Sequence, residues 1–185
     1  FFLKACSKPP LKSVRVNTLK TTVEQVQKSL SAKGIGLAPV PFALNAFYLL
    51  NFYGLVGSLP EVKTGRVQVQ EAASMLPPLV LKPCAQDKVL DMAAAPGNKT
   101  IQLAEMMQDK GLLVALDANK KRVRSLKFML NRASVSNCLM VLDHAVHFKS
   151  SFLFDKILLD APCSSEGVMQ KKLKARKYWN LGIVK

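Results

Sequence analysis

The sequence has 185 residues, 49% of them apolar, and carries 27 Lys+Arg against 12 Asp+Glu for a formal net charge of +15. That length supports one good core with room for a small appendage, and that apolar content excludes a disordered polyelectrolyte. The charge is uneven: residues 1–60 hold seven basic side chains (Lys4, Lys8, Lys12, Arg15, Lys20, Lys28, Lys33) and one acid, Glu24. Met169 to Lys185 holds six and none, while 61–167 is close to balance with fourteen basic and eleven acidic. Basic flanks around a near-neutral centre fit a polyanion partner, nucleic acid being the usual one.

In chain order, Ser13 to Leu19 alternates as a half-buried strand does. Thr21-Thr22-Val23-Glu24 matches a capping box, and the helix it opens should bury Val23, Val26 and Leu30 and stop at Gly34. Ile35–Val40 and Ala46–Tyr53 read as extended. These pieces make a small basic α+β unit over 1–60, closed by the turn-rich Gly54 to Gly65. Gln70–Leu76 then reads as a short helix, with Pro77-Pro78 marking a break or a fresh helix start.

The remainder, 61–185, alternates strand and helix: strands over Lys88–Met92, Leu112–Asp117, Cys138–Asp143 and Lys156–Asp160, helices over Lys99–Gln108 and Lys120–Asn131. Alternation of this kind means an α/β fold with parallel strands, and their apolar character suggests that both faces are covered.

Leu90-Asp91-Met92-Ala93-Ala94-Ala95-Pro96-Gly97-Asn98-Lys99-Thr100 reads as a strand end, a tight small-residue turn and a helix start. In a parallel sheet ligands bind beyond the carboxyl ends of the strands, so a ligand is expected at this turn. It matches neither G-x-G-x-x-G nor G-x-x-x-x-G-K-[ST], which argues against pyrophosphate. Four acids, Asp91, Asp117, Asp143 and Asp160, fall at or near strand ends and converge on one rim. Acids would repel a pyrophosphate and suit a ligand with hydroxyl and amino donors and positive charge; a nucleoside with a cationic tail, such as S-adenosyl-L-methionine, fits. Taken singly, each acid could equally be a helix N-cap.

Asp160-Ala161-Pro162-Cys163-Ser164-Ser165-Glu166-Gly167 places a cysteine behind a rigid proline beside that rim, suited to covalent chemistry or proton transfer. Most free cysteines are buried small hydrophobes, but Lys171 and Lys172 downstream favour the functional reading. His144 and His147 read as ordinary loop residues. Cys6, Cys84, Cys138 and Cys163 show no C-x-x-C spacing and no histidines in ligand register, so zinc is not expected. With no leader pattern and no apolar run near a membrane span, an intracellular location with reduced thiols is expected, and no membrane partner. The chain begins at Phe1 rather than methionine and is expected to be a trimmed piece.

Together these residues resemble the Sun/Fmu (Nop2/Sun) family of RNA cytosine-5 methyltransferases, which depend on S-adenosyl-L-methionine. Arg15-Val16-Asn17-Thr18-Leu19-Lys20 is similar to a stretch of that family's N-terminal RNA-recognition-like domain, and Gln70-Glu71-Ala72-Ala73-Ser74-Met75-Leu76-Pro77 to the lead-in of its catalytic domain. Asp91 to Thr100 resembles the cofactor loop, with Asn98 where glycine is more usual, and Asp160 to Ser164 the D-A-P-C-S motif, with Ser165 where glycine is usual. The resemblance implies a Rossmann-like class I methyltransferase sheet preceded by the small RNA-recognition-like domain. It implies that Ala93, Ala94, Ala95, Pro96, Gly97, Asn98 and Lys99 wrap the methionine part of the cofactor. Asp117 would take the ribose hydroxyls, Asp143 the adenine side, and Asp160 the boundary between cofactor and cytosine, with Arg122 among the cofactor-binding residues. Cys163 and Asp160 would be catalytic.

The implied substrate is ribosomal RNA first and transfer RNA second, with a monomeric full-length protein, cytoplasmic in a prokaryote and nuclear or nucleolar in a eukaryote. One departure matters: the family attacks with a second cysteine in a T-C-S motif after the next strand and uses the D-A-P-C cysteine for release. No T-C-S lies before Lys185, so Cys163 matches the release cysteine, and the last strands of the sheet are expected beyond this chain. The alternatives are a DNA cytosine-5 methyltransferase, in which a proline-cysteine loop attacks, and a non-catalytic RNA-binding or assembly factor that keeps the fold.

Overall fold

Two four-stranded sheets organise residues 11–161, the part of the chain that the computed structural model describes, and Lys12–Asp160 packs as one unit. The first sheet joins β1 (Ser13–Val16), β2 (Gly36–Val40), β3 (Ala43–Leu50) and β4 (Val67–Val69) in the order β2-β3-β1-β4, antiparallel throughout. All four residues of β1 are buried, because alternation sends them to two covered faces. Val14 and Val16 join Val26 and Leu30 of α1 (Val23–Ser31) and Val62 of α2 (Pro60–Lys63), while Ser13 and Arg15 turn to the opposite face.

Helix α1 begins one residue later than its sequence suggested. Thr22 is the cap: its Oγ1 accepts from the Gln25 amide at 3.3 Å and Gln25 Oε1 accepts from the Thr22 amide at 3.4 Å. A glutamine fills the role expected of Glu24, and Thr21 supports it by donating to Gln25 Oε1. Strand β4 was not anticipated; three residues are too few to show a period, and they extend the first sheet beyond residue 60.

The second sheet contains β5 (Lys88–Asp91), β6 (Leu112–Asp117), β7 (Cys138–Leu142) and β8 (Lys156–Leu158), all parallel, in the order β7-β6-β5-β8. A 3-10 turn at Ala72–Met75 leads into α3 (Leu76–Leu81), whose first turn holds Pro77 and Pro78, where a missing N–H costs no helical bond. Helix α4 (Asn98–Met106) and helix α5 (Lys120–Ala133) make the first two crossovers. The third, between β7 and β8, contains no helix. Its Ala145, Phe148 and Phe154 cover Leu90, Val114 and Leu116 in the middle of one face, and Leu139 and Ile157 on the outer strands stay about half exposed. The expectation that every strand is covered on both faces therefore holds for β5 and β6 alone.

Helix α4 is buried almost all round, as a helix pressed between two layers must be. Ile101, Leu103 and Ala104 pack on the second sheet, whereas Gln102 and Glu105 meet residues of the first. Taken in chain order, the parallel strands run 3-2-1-4, so the direction of winding reverses between β5 and β8. A crevice at that reversal, beyond the carboxyl ends, is where such sheets bind ligands.

Candidate active site

The turn after β5 is built to lie close to its neighbours. Met92 N donates to Leu158 O and Ala94 N to Leu116 O, each at 2.9 Å, which fixes the turn across the mouth of the reversal. The methyls of Ala94 and Ala95 pack with Ile101, Leu126 and Leu130, leaving Ala93 half-buried and Pro96 exposed at the rim. Gly97 caps α4 with φ of +117°, and a Cβ there would stand 2.9 Å from Leu126 Cδ1. Both the left-handed backbone and the approach of α5 therefore require glycine.

Asp91, 1% exposed, lies beneath this turn with its Oδ2 accepting from Thr100 Oγ1 at 2.8 Å. Burial pushes its carboxyl up to about 6; the Thr100 hydroxyl, the Ala93 amide and Lys99 pull the other way, and Asp160 adds to the rise. Register shows that the rim acids are not level. Asp91 pairs with Ala115 and with Leu158, so Asp117 and Asp160 flank it, each two residues nearer the rim and roughly 10 Å apart across two strand spacings. Asp143 lies on the far side of Asp117 from Asp91: Leu142 is the partner of Asp117, Asp143 is one residue beyond, and its Oδ1 accepts from the His144 amide at 2.7 Å. His144 and His147 are loop residues as expected, with rings 5.7 Å apart.

Two cations answer Asp91, Asp117 and Asp160. Lys99 Nζ donates to Asp160 Oδ2 at 2.5 Å, with the Asp160 side chain 52% exposed. Arg122 donates to the Ala95 carbonyl and lies 3.4 Å from Asp117 Oδ2. Asp117 itself is buried; Oδ2 also accepts from Ala95 N at 3.2 Å and Oδ1 from Asn119 N at 3.0 Å. Two of the four acceptor positions of its carboxylate are thereby hydrogen-bonded, with Arg122 as a nearby counter-charge. One carboxylate stays in excess, and the glycine cradle, the solvent-facing Asp160 and the remaining acceptor positions on Asp117 suit a cationic ligand bearing hydroxyls. On these observations the residues fit S-adenosylmethionine.

Among the described residues no group of His, Cys, Asp or Glu could hold a metal ion, and no helix is long and apolar enough to cross a membrane. Burial pushes the Cys138 thiol up to about 12, with Asp91 and Asp109 adding to it, so this cysteine is a packing residue. Cys163 lies outside the described residues.

The largest omission from the sequence reading is a polar network behind the turn. Arg15, counted there with the basic flank, is fully buried and unavailable to a polyanion. It pairs with Glu105, whose carboxyl burial raises, donates through Nε to Gln70 Oε1 at 2.9 Å, and reaches the Asn98 carbonyl at 3.3 Å. Gln70 Nε2 continues to Gln102 Oε1 at 3.0 Å, and Asn98 Nδ2 donates to the Val69 carbonyl at 3.2 Å. The available signal was the polar series Asn98, Gln102, Glu105, one helical face in an otherwise apolar run.

The strand order, the small-residue turn and the acidic rim define a Rossmann-like methyltransferase fold. Solved structures bear this out: a methyltransferase homologue from Pyrococcus horikoshii, 39% identical, superposes with a TM-score of 0.84 over 95% of this chain and 58% of its own. NSun6 from the same organism has the same fold at 21% identity, with a TM-score of 0.88 over 98% of this chain and 70% of its own. Residues 78–180 match the family described as 16S rRNA methyltransferase RsmB/F, and residues 1–72 match the N-terminal domain of 16S rRNA methyltransferase RsmF. The chain belongs to the RsmB/F methyltransferase family, within the Sun/Fmu group. It is 41% identical to ribosomal RNA small subunit methyltransferase F of Shewanella piezotolerans over 100% of this chain and 40% of the relative. It is 38% identical to tRNA (cytosine(49)-C(5))-methyltransferase of Pyrococcus abyssi over 96% of this chain and 57% of the relative. The chain thus spans about half the length of these relatives or less.

Proposed function

We propose that the protein transfers a methyl group from S-adenosylmethionine to carbon 5 of cytosine in RNA, ribosomal RNA before transfer RNA. The observation that carries this reading is the Lys99–Asp160 pair, set at the strand reversal beside the glycine turn and immediately before Pro162-Cys163. The match to RsmF-type relatives favours ribosomal RNA, and the Pyrococcus abyssi relative supports transfer RNA as the second reading.

In this reading Ala93–Lys99, Asp117 and Arg122 hold the cofactor, which supplies an electrophilic methyl group; Asp143, one residue beyond the partner of Asp117, serves the adenine side. Carbon 5 of cytosine is a poor nucleophile, so a thiolate adds at carbon 6 to make it one, and a base later removes the carbon 5 proton so that the thiolate can leave. Asp160, half exposed beside Lys99, can accept from the exocyclic amino group on the nitrogen 3 edge of the ring through that cycle. Cys163 serves release, and attack falls to a second cysteine, as the family resemblance implies. Residues 1–60 and 61–185 would divide as RNA-binding and cofactor-binding parts, in a cytoplasmic monomer if the source is prokaryotic.

The test is a denaturing gel of the full-length protein with labelled RNA. Cys163→Ala should trap a covalent protein–RNA adduct, because attack survives and release does not. If Cys163 were the attacking residue, as in a DNA-type mechanism, the substitution would abolish the adduct, and the assignment would be wrong.

A further inference from the structure

Residues 61–167 look nearly neutral as a string, with fourteen bases and eleven acids, yet the fold separates the two signs. Among the described residues four of these acids, Glu61, Asp91, Glu105 and Asp117, are buried, and none of the fourteen bases is. The excess gathers on α5, whose sequence Lys120-Lys121-Arg122-Val123-Arg124-Ser125-Leu126-Lys127-Phe128-Met129-Leu130-Asn131-Arg132-Ala133 contains six bases and no acid. Leu126, Leu130 and Ala133 take the buried side, so the opposite side presents Lys120, Lys121, Arg124, Lys127 and Phe128.

Three observations separate this face from an ordinary solvated one. Lys120, Lys121, Arg124 and Lys127 have no acidic partner among the described residues, and α5 supplies no acid at i±3 or i±4 to offset them. Lys120 and Lys121 occupy the first turn, where the helix dipole disfavours cations; that turn holds no acid, and the Asp117 carboxylate answers Arg122 alone. Phe128 is 64% exposed in the middle of the stripe, with the Arg132 guanidinium 5.6 Å from its ring centre. Cations opposing their own helix beside an open aromatic ring make sense if an anion with stackable rings completes them.

We infer that this outward face of α5 is an RNA-binding surface additional to the basic flanks, Lys120, Arg124 and Lys127 neutralising backbone phosphates and Phe128 stacking on a base. The inference rests on the RNA reading above. Because α5 starts where β6 delivers Asp117 to the rim, RNA held along it leads toward the site.

Fluorescence anisotropy of the full-length protein with a fluorescein-labelled single-stranded RNA oligonucleotide, across a salt series, tests it. With three phosphates lost, Lys120→Gln/Arg124→Gln/Lys127→Gln should flatten the slope of log affinity against log salt by about 2 and weaken binding roughly 50-fold near 0.15 M salt. Lys82→Gln/Lys110→Gln/Lys149→Gln, which removes the same charge from exposed positions elsewhere, should leave the slope within about 0.5 of the parent. Phe128→Ala should weaken binding several-fold without changing the slope. Equal slopes for the parent and the α5 variant, or parent-like affinity in Phe128→Ala, overturn the inference while the proposed activity stands. A parent protein that does not bind RNA overturns both.

Discussion

Asp91 offers the clearest energetic test of the site. Its carboxyl is held at about 6 against an ordinary 3.8, because burial outweighs the Thr100 hydroxyl, the Ala93 amide and Lys99. The folded protein therefore binds this proton more tightly than the unfolded chain, and stability falls as pH rises from below 4 through 6. A difference of about 2 pKa units corresponds to about 3 kcal/mol of destabilisation above pH 7 relative to the protonated form. Asp91→Asn keeps an acceptor for Thr100 and removes the charge. Urea unfolding should show the variant exceeding the parent by about 1 kcal/mol at pH 4.5 and by up to about 3 kcal/mol at pH 7.5. A variant less stable than the parent at pH 7.5, or a difference that does not change with pH, would refute the reasoning. The gain in stability should come with a loss of S-adenosylmethionine affinity, because a charged acid kept in an unfavourable place marks a working site.

Gly97→Ala must adopt φ of +117° and meet Leu126 Cδ1, and a loss of about 1–3 kcal/mol in thermal or urea unfolding is expected. Arg15→Met alone strands the buried Glu105 carboxylate and should cost about 3–5 kcal/mol, while Arg15→Met/Glu105→Leu should recover most of it, as a double-mutant cycle would show. Asp117→Ala removes an acceptor from the proposed ribose position, and calorimetric titration with S-adenosylmethionine should show affinity weaker by about 1–3 kcal/mol. Unchanged affinity would withdraw Asp117 from the cofactor site.

Much of the cofactor lobe was legible because its signals are local. The run Leu112–Asp117 is apolar between turn residues and was placed to the residue, and Pro77-Pro78 marked the start of α3. The rim acids were legible as a list but not as a shape. Their levels depend on the register of β5 against β6 and β8, a relation between segments that no single segment encodes. Arg15 shows the same limit more sharply. As a letter it is one more base in a basic stretch, and only the pairing of β1 with β4 and the packing of α4 reveal that it is sealed against Glu105. Charge along the chain likewise misled at α5, since burial of nearby acids is a tertiary event.

The hydrogen bonds that Asn98 and Arg15 make across the two sheets bear on how the protein can be divided. A fragment starting near residue 61 would lose β1, and with it the antiparallel partner of β4 and the counter-charge of Glu105. It would also uncover the Ala133 carbonyl that the Asn17 side chain caps at 2.9 Å. The two parts that a family comparison separates are thus one folding unit, and if the proposed activity holds the N-terminal sheet cannot be exchanged as a cassette to select another RNA. Retargeting has to proceed residue by residue on surfaces facing away from the shared helix α4, with Arg15, Asn17, Gln70 and Glu105 carried along unchanged.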